Sequence, residues 1–168
     1  MSRHVWIVSD THFGHKNFVG FKYDGHPARP FDTMEEMHER MISEWNDRVK
    51  PEDKVYHLGD VAITRRALDI MKCLNGSRKI LIKGNHDIWH LKDYMPHFKD
   101  IRSVHRLDIL DLSHVPIRED SIAQGRVNAH GHTHRRVIDD KRYINMCVEH
   151  WNWGPAHLDE VLARVRHG

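Results

Sequence analysis

Cysteine is scarce in this chain, where only Cys73 and Cys147 occur among 168 residues. Because the two are not spaced as a CxxC pair, no disulfide framework is expected, and the compartment is expected to be reducing. The chain also has no apolar run of about 18 residues, the length that a membrane-spanning helix needs, and its first apolar stretch is too short for a signal peptide. These absences predict a cytoplasmic protein with no membrane partner.

Neither sign of charge is in large excess. The chain has 26 basic and 24 acidic residues, for a formal net charge of +2. A near balance argues against a polybasic surface and against a dedicated nuclease, so nucleic acid stays an alternative that the composition does not indicate. The length favours a single domain over 1–168. Histidine is the exception to an ordinary composition, with 17 residues scattered through the chain.

Short apolar runs alternate with helical patterns in the first half of the chain. Thr33 and Glu36 predict a capping box at the start of a helix over 33–49, and a shorter helix is expected over 64–74. The apolar runs have the length and the β-branched or aromatic content of buried strands. They are VWIV (5–8), KVYHL (54–58) and KILI (79–82). This order predicts a parallel sheet with right-handed crossovers.

The second half is predicted to be an antiparallel part of the same α/β domain. A hairpin turn is expected at DDK (139–141), and PAHLDEVLARV predicts a closing amphipathic helix. HWNW (150–153) favours packing, with a stacking surface for a base as the alternative. The strand-like segments are RLDILDL (106–112), RVNAH (126–130), RRVID (135–139) and YINMCV (143–148).

Polar side chains that can bind metal follow the predicted strands. They are Asp10, His12, Asp60, Asn85, His86, Asp87, His114, His132 and His134. In open α/β sheets, ligands gather at the carboxyl ends of the strands, so these side chains are expected to converge on one edge.

The donor set is two carboxylates, one amide oxygen and four imidazoles. Mixed nitrogen and oxygen donors without thiolate suit manganese, with iron, zinc, nickel and cobalt as alternatives. The donors are too many for one tetrahedral ion but fit two ions, roughly 3.5–4 Å apart, if one carboxylate bridges them. With neutral histidines such a site keeps a formal charge of about +2, which attracts a phosphate and acidifies a bridging water.

Five motifs occur in a recognisable order. DTH, GD, GNHD, a lone histidine in SHVP, and GHTH resemble the calcineurin-like metallophosphoesterase superfamily over the stretch from Asp10 to His134. SDTHFGH, with the later RPF and HLGD, resembles a small bacterial and phage branch of it. The resemblance implies an α-β-β-α sandwich, in which two packed mixed β-sheets are flanked by helices.

The resemblance also implies a role for each residue of the set. Asp10, His12 and His134 would hold the first ion, Asn85, His114 and His132 the second, and Asp60 would bridge them. His86 would assist the leaving group, and Asp87 would orient His86, since a carboxylate beside an imidazole fixes its tautomer. The implied activity is hydrolysis of phosphomonoesters or phosphodiesters by a hydroxide that bridges the ions.

Several residues near the motifs have two interpretations. His15, Arg29 and Asn85 are the candidate substrate contacts, although His15 and Arg29 also fit solvated loop positions. His57 is expected to be a core or hydrogen-bonded residue. His130 is expected at a strand end, behind the ligands, and Gly131 is expected to let the chain turn sharply.

A protein-binding module on the same scaffold is the competing function. Such a module is expected to lose metal ligands, and here the set is complete, which favours the enzyme. A chain of 168 residues has little room for a separate specificity domain. The expected partner is therefore a small phosphorylated substrate, with a nucleotide among the candidates, and the oligomeric state stays open.

Overall fold

A computed structural model of the chain describes residues 4–23 and 25–167. The predicted domain, 1–168, extends past these residues at both ends. Two mixed β-sheets pack face to face and helices flank them, as the family resemblance implied. The strands are β1 (Val5–Val8), β2 (Lys22–Tyr23), β3 (His26–Pro27), β4 (Lys54–His57), β5 (Arg78–Ile82), β6 (Asp100–Arg102), β7 (Val104–Leu107), β8 (Leu110–Ser113), β9 (Val127–His130), β10 (Tyr143–Asn145) and β11 (Ala156–His157).

Three α-helices lie in the described part of the chain, and short 3-10 helices join the other elements. The α-helices are α1 (Met34–Arg48), α2 (Leu91–Tyr94) and α3 (Leu158–His167). The 3-10 helices are Lys16–Gly20, Arg65–Lys72, Glu119–Ser121 and Val148–His150. None of the helices in 4–23 and 25–167 is long and apolar enough to cross a membrane.

The first sheet has the strand order β11-β1-β4-β5-β6. β1, β4, β5 and β6 are parallel, and β11 runs antiparallel to β1 at one edge. The parallel sheet predicted from the first half is therefore confirmed. Thr33 caps α1 by accepting a hydrogen bond from the Glu36 N–H, while the Glu36 carboxylate accepts one from the Asp32 N–H.

The second sheet, β10-β9-β8-β7, corrects the antiparallel prediction. β9 pairs in parallel with both β8 and β10, and the antiparallel pair is β7 with β8. Residues 106–112, predicted as one strand, turn at Asp108, which has a φ of 52°. Residues 135–139 form no strand, and 139–141 is not a hairpin turn.

A side chain holds the start of the loop at 135–139. The Asn145 amide donates hydrogen bonds to the carbonyls of His134 and Arg136 and to the hydroxyl of Thr133. The Arg136 carbonyl is therefore paired with a side chain and not with a neighbouring strand. The loop instead crosses to β10, which ends at Asn145 rather than at the predicted residue 148.

The core has two layers. One lies between the first sheet and α1, where Met37, Met41 and Trp45 are buried, and the other lies between the two sheets. Trp151 belongs to the second layer, and its indole N–H donates to the Asn145 carbonyl. The packing interpretation of HWNW is therefore confirmed for Trp151.

Candidate metal centre

The structure brings the predicted ligands together at the carboxyl ends of β1, β4, β5, β8 and β9. Two clusters consist of predicted ligands, and within each the ligand atoms lie within 4.8 Å of one another. These clusters are Asp10 with His12 and His134, and Asp60 with His114 and His132. A third group of potential ligand atoms, within the same distance, shares His134 and adds Cys147 and Glu149.

In the first cluster, His12 Nε2 lies 3.5 Å from Asp10 Oδ1, and His134 Nε2 lies 3.8 Å from the same oxygen. The other oxygen of Asp10 is fully engaged. Oδ2 accepts hydrogen bonds from the Ser9 hydroxyl, the His132 N–H and the Cys147 thiol. Asp10 is therefore anchored through one oxygen and presents the other to the cluster.

In the second cluster, the Asn85 side-chain oxygen lies 2.8 Å from His114 Nε2 and 2.9 Å from His132 Nδ1. His114 Nδ1 donates to the Leu58 carbonyl, which turns Nε2 toward the other donors. Donor atoms about 3 Å apart have the spacing of neighbouring ligands around one ion with bonds of about 2.0–2.2 Å. Asn85 thus completes a second donor set.

Asp60 lies between the two sets. Its Oδ2 is 3.5 Å from His12 Nε2 and 3.4 Å from His114 Nε2, and its Oδ1 accepts the His86 N–H. The loops after β1 and β4 are also joined by backbone hydrogen bonds from Asp10 to Gly59 and from His12 to Asp60. One carboxylate can therefore contact both donor sets.

Buried donor atoms that have no hydrogen-bond partner also fit the binding of metal ions. Asp10 Oδ1 and both ring nitrogens of His12 are buried and have no hydrogen-bond partner among the described residues. Buried polar atoms are normally paired, since an unpaired one costs about 1–3 kcal/mol. A cation coordinated by Asp10 Oδ1 and one ring nitrogen of His12 would supply a partner for both of those atoms.

The backbone at these positions is strained. Positive φ angles, rare outside glycine, occur at ligand positions on three different loops. They are 60° at Asp10, 49° at His12, 55° at Asp60, 68° at His132 and 49° at His134. Each such conformation costs about 1–3 kcal/mol and is typical of functional sites. Five of the seven predicted ligands therefore have a strained backbone conformation.

Two glycines are required by close contacts. A Cβ on Gly84 would lie 2.2 Å from Asp60 Oδ1, and a Cβ on Gly131 would lie 2.0 Å from the Ser9 hydroxyl oxygen. The φ of Gly131 is not positive, so the expected role of Gly131 in turning the chain is wrong. The turn is made by His132 and His134, and Gly131 admits the Asp10 side chain.

Charge interactions favour the ionised form of Asp10 and Asp60, which is the form that binds metal ions. Burial alone would raise the pKa of Asp10 and of Asp60, but the neighbouring histidines lower both below the usual value. Burial lowers the pKa of His12, whereas Asp60 outweighs burial and raises that of His114. A proton on His114 competes with a metal ion for Nε2, so ion binding at the second set should weaken in acid.

Asp87 does not orient the His86 ring. Its carboxylate accepts hydrogen bonds from the backbone N–H groups of Asp60, Val61 and Gly84, and none joins it to the His86 ring in the described structure. The predicted role of Asp87 is corrected accordingly. It fixes the two loops that carry Asp60 and His86.

Arg29 is not a substrate contact. Its side chain is fully buried, donating to the carbonyls of Asp10 and Thr11 and pairing with Glu149 at 3.0 Å. An arginine with no exposed surface cannot reach a phosphate in solution. The sequence prediction is wrong because the loop that carries Arg29 turns inward beneath the first cluster.

Glu149 is a functional neighbour that sequence reasoning missed. Its Oε1 lies 3.2 Å from His134 Nδ1, which leaves His134 Nε2 facing Asp10. A carboxylate on the second nitrogen of a ligand histidine fixes its orientation and raises its basicity. Burial would raise the pKa of Glu149, but Arg29 and His134 hold it at about 2. No local motif marks Glu149, because its partners are distant in sequence.

His15 and His130 lie beside the centre. The His15 ring is 5.9 Å from the His12 ring, and burial, together with His12 and Arg29, lowers the pKa of His15 to about 4. His130 is buried at the end of β9, where its Nδ1 donates to the Gly131 carbonyl. His130 thus has the strand-end position expected of it.

His57 is buried and neutral beneath the centre, as the sequence predicted. Its Nδ1 accepts the Gly59 N–H, so its Nε2 carries the proton and donates to the Thr11 hydroxyl. Burial lowers the pKa of His57 to about 3. Between about pH 6.5 and pH 3 the unfolded chain therefore binds one more proton at this residue, and stability falls as the pH falls.

Replacing His57 by glutamine should weaken the pH dependence of the unfolding free energy. Between pH 6 and pH 5 the unfolding free energy of the unmodified chain should fall by about 1 kcal/mol more than that of His57→Gln, since one proton is worth about 1.4 kcal/mol per pH unit. Urea unfolding at pH 7, 6 and 5 measures the difference. Parallel profiles for the two proteins would show that His57 does not stay neutral in the folded state.

Comparisons with known proteins agree with this site. A family model for calcineurin-like phosphoesterases matches residues 3–161. An uncharacterized protein of Methanocaldococcus jannaschii is 30% identical over 177 residues, which cover 99% of this chain and 93% of that protein. The gene 66 protein of Mycobacterium phage D29 is 30% identical over 200 residues, with coverage of 96% and 95%.

A solved structure shares the fold. A protein of unknown function from Aquifex aeolicus superposes with a TM-score of 0.72 at 23% identity, covering 96% of this chain and 99% of its own. The similarity extends over both sheets, and at this identity it concerns the fold alone.

Proposed function

The chain belongs to the calcineurin-like phosphoesterase family, and from that premise we propose that it is a hydrolase of phosphate esters that uses two divalent metal ions. The observation that carries the proposal is the pair of donor sets joined by Asp60. Manganese is the first candidate, because the donors are carboxylates, an amide oxygen and imidazoles without thiolate. When bound, the ions would supply Lewis acidity and an activated water.

The protein's own groups have separable tasks in this proposal. Asp10, His12 and His134 would hold one ion, Asn85, His114 and His132 would hold the other, and Asp60 would serve both. Glu149 and Leu58 fix the rings of His134 and His114 through their Nδ1 atoms. The fixed rings keep their Nε2 atoms directed at the centre, so little rearrangement is needed when a phosphate binds.

His86 is proposed to act on the leaving group. Its side chain is exposed, and its ring lies 5.4 Å from that of His12, while its backbone N–H is held by Asp60. An exposed imidazole at the edge of the centre can donate a proton to an ester oxygen as the bond to phosphorus breaks. Hydrolysis by water would then release an alcohol together with phosphate, or with a phosphomonoester when the substrate is a diester.

The activity is tested with p-nitrophenyl phosphate and bis-p-nitrophenyl phosphate. Purified protein is stripped of metal and assayed with manganese, nickel, cobalt, zinc or iron(II) added singly. Turnover that requires a metal ion supports the proposal, and the preferred ester separates monoesterase from diesterase activity. No turnover with any of these ions would leave the binding-module alternative as the better account.

Replacing His86 by asparagine should reduce kcat by about a hundredfold, within the range for loss of a general acid. The metal content should be unchanged, because the His86 ring belongs to neither cluster. Steady-state kinetics and elemental analysis measure the two quantities. His90→Asn is the matched control, since His90 is exposed in the same loop and its side chain does not cap α2. An unchanged kcat in His86→Asn would remove His86 from the mechanism.

A further inference from the structure

Three aromatic rings cluster beside the first donor set. His15 lies 4.9 Å from Phe18 and 5.5 Å from Phe21, and Phe18 lies 5.8 Å from Phe21, measured between ring centroids. Every ring in this trio therefore contacts the other two. Phe18 is buried, and the Arg29 guanidinium lies 4.2 Å from its ring. These contacts fix the trio on the side that faces the protein interior.

The trio is continuous with the donor set. The Phe18 ring lies 5.2 Å from the ring of His12 and 5.1 Å from that of His134. His12 is also a neighbour of both His15, at 5.9 Å, and His86, at 5.4 Å. The aromatic surface thus begins at two proposed ligands and lies next to the histidine proposed to serve the leaving group.

The outer part of the trio is open to solvent. Phe21 is 44% exposed, although it follows a short 3-10 helix whose own Phe18 is buried. Folding does not need an exposed phenylalanine at this position, because Phe18 already fills the space under the loop. An exposed ring at the rim of a polar, charged centre has the arrangement of a binding surface for a planar group.

We propose that His15 and Phe21, supported by the buried Phe18 ring, form a subsite for the planar aromatic part of a phosphorylated substrate, whose phosphate would lie at the two donor sets. This inference rests on the proposed function and adds the substrate class. The aromatic part is a nucleobase carried on a sugar phosphate, or an aryl group bound directly to the phosphate oxygen. Both stack on ring faces without requiring a specific hydrogen-bond pattern.

Phosphonates test the subsite without turnover, because their carbon–phosphorus bond is not hydrolysed. Manganese-loaded protein is titrated calorimetrically with phenylphosphonate and with methylphosphonate, and then with the methylene phosphonate analogues of AMP and of ribose 5-phosphate. The aromatic member of at least one pair should bind about tenfold more tightly, the size of one stacking contact. A preference within the phenylphosphonate and methylphosphonate pair indicates an aryl phosphate. A preference within the AMP and ribose 5-phosphate pair indicates a nucleotide.

Substitutions show which residues cause the preference for the aromatic ligand. Phe21→Ala and His15→Ala should each reduce the preference for the aromatic ligand, measured as the ratio of its affinity to that of methylphosphonate, about fivefold or more. His15→Phe should keep the preference, because it keeps a ring. Ile88→Ala is the matched control, since Ile88 is exposed near His86 but lies outside the trio. Circular dichroism confirms that each variant is folded.

The outcomes separate this inference from the function on which it rests. Equal binding of both members of each pair, or an unchanged preference in the double variant His15→Ala and Phe21→Ala, overturns the subsite alone. Failure of every phosphonate to bind the manganese-loaded protein overturns the proposed capture of phosphate, and the subsite with it. An aromatic preference that disappears with His15 and Phe21 supports the subsite.

Discussion

Replacing Asp60 by asparagine should release both metal ions and reduce kcat/KM by about a thousandfold or more, since the ions stabilise the transition state by several kcal/mol. Asp60 Oδ2 lies within 3.5 Å of a nitrogen from each donor set. Asparagine keeps an oxygen for the His86 N–H but places an amide NH₂ where Oδ2 was. The loss of one negative charge also raises the formal charge of a two-ion site from about +2 to about +3, which increases repulsion between the ions.

Elemental analysis of dialysed protein measures this effect as ions per chain, and an assay on p-nitrophenyl phosphate measures the rate. Asp53→Asn is the control, because Asp53 is also buried but lies at the opposite end of β4, bonded to His4, Trp6 and Lys50. It should retain both ions. If Asp60→Asn retained two ions per chain as well, Asp60 would not be the residue that joins the two sets.

Replacing Arg29 by methionine should lower the unfolding free energy by about 3–5 kcal/mol, the usual cost of removing one partner from a buried ion pair. Arg29 is fully buried, and Glu149 would lose its guanidinium partner and keep the hydrogen bond from His134 Nδ1. The carbonyls of Asp10 and Thr11 would also lose their donors. The melting temperature should fall by about 10 °C for a chain of this size.

A second substitution shows whether charge is the cause. Arg29→Met combined with Glu149→Gln should be more stable than Arg29→Met alone, because no unpaired charge remains buried. Arg118→Met, at a site 83% exposed, should change stability by less than about 0.5 kcal/mol. A normal melting temperature for Arg29→Met together with a raised KM would instead restore Arg29 as a substrate contact.

The sequence was sufficient for the parts of the molecule that local rules control. Thr33 marks the start of α1, and the apolar runs before Asp10, Asp60 and Asn85 are strands of a parallel sheet. Since parallel strands present their carboxyl ends at one edge, the grouping of the donors followed from their positions in the chain.

The parts that were missed depend on distant or unusual contacts. No glycine or asparagine marks the turn at Asp108. The sequence therefore predicts one strand where the structure has β7 and β8. Residues 135–139 have strand-like composition, but the distant Asn145 side chain binds the carbonyls of His134 and Arg136 at the start of this segment. The pairing of Arg29 with Glu149 spans 120 positions, and no local sequence pattern connects the two residues.

The left-handed backbone at Asp10, His12, Asp60, His132 and His134 has an evolutionary consequence. Glycine adopts that conformation without a steric penalty, so exchanging a ligand for glycine would relieve strain while destroying the centre. In a lineage released from catalysis, replacement by glycine at these five positions would therefore be tolerated and would relieve strain. In this chain, each of the five positions has the side chain of its proposed ligand.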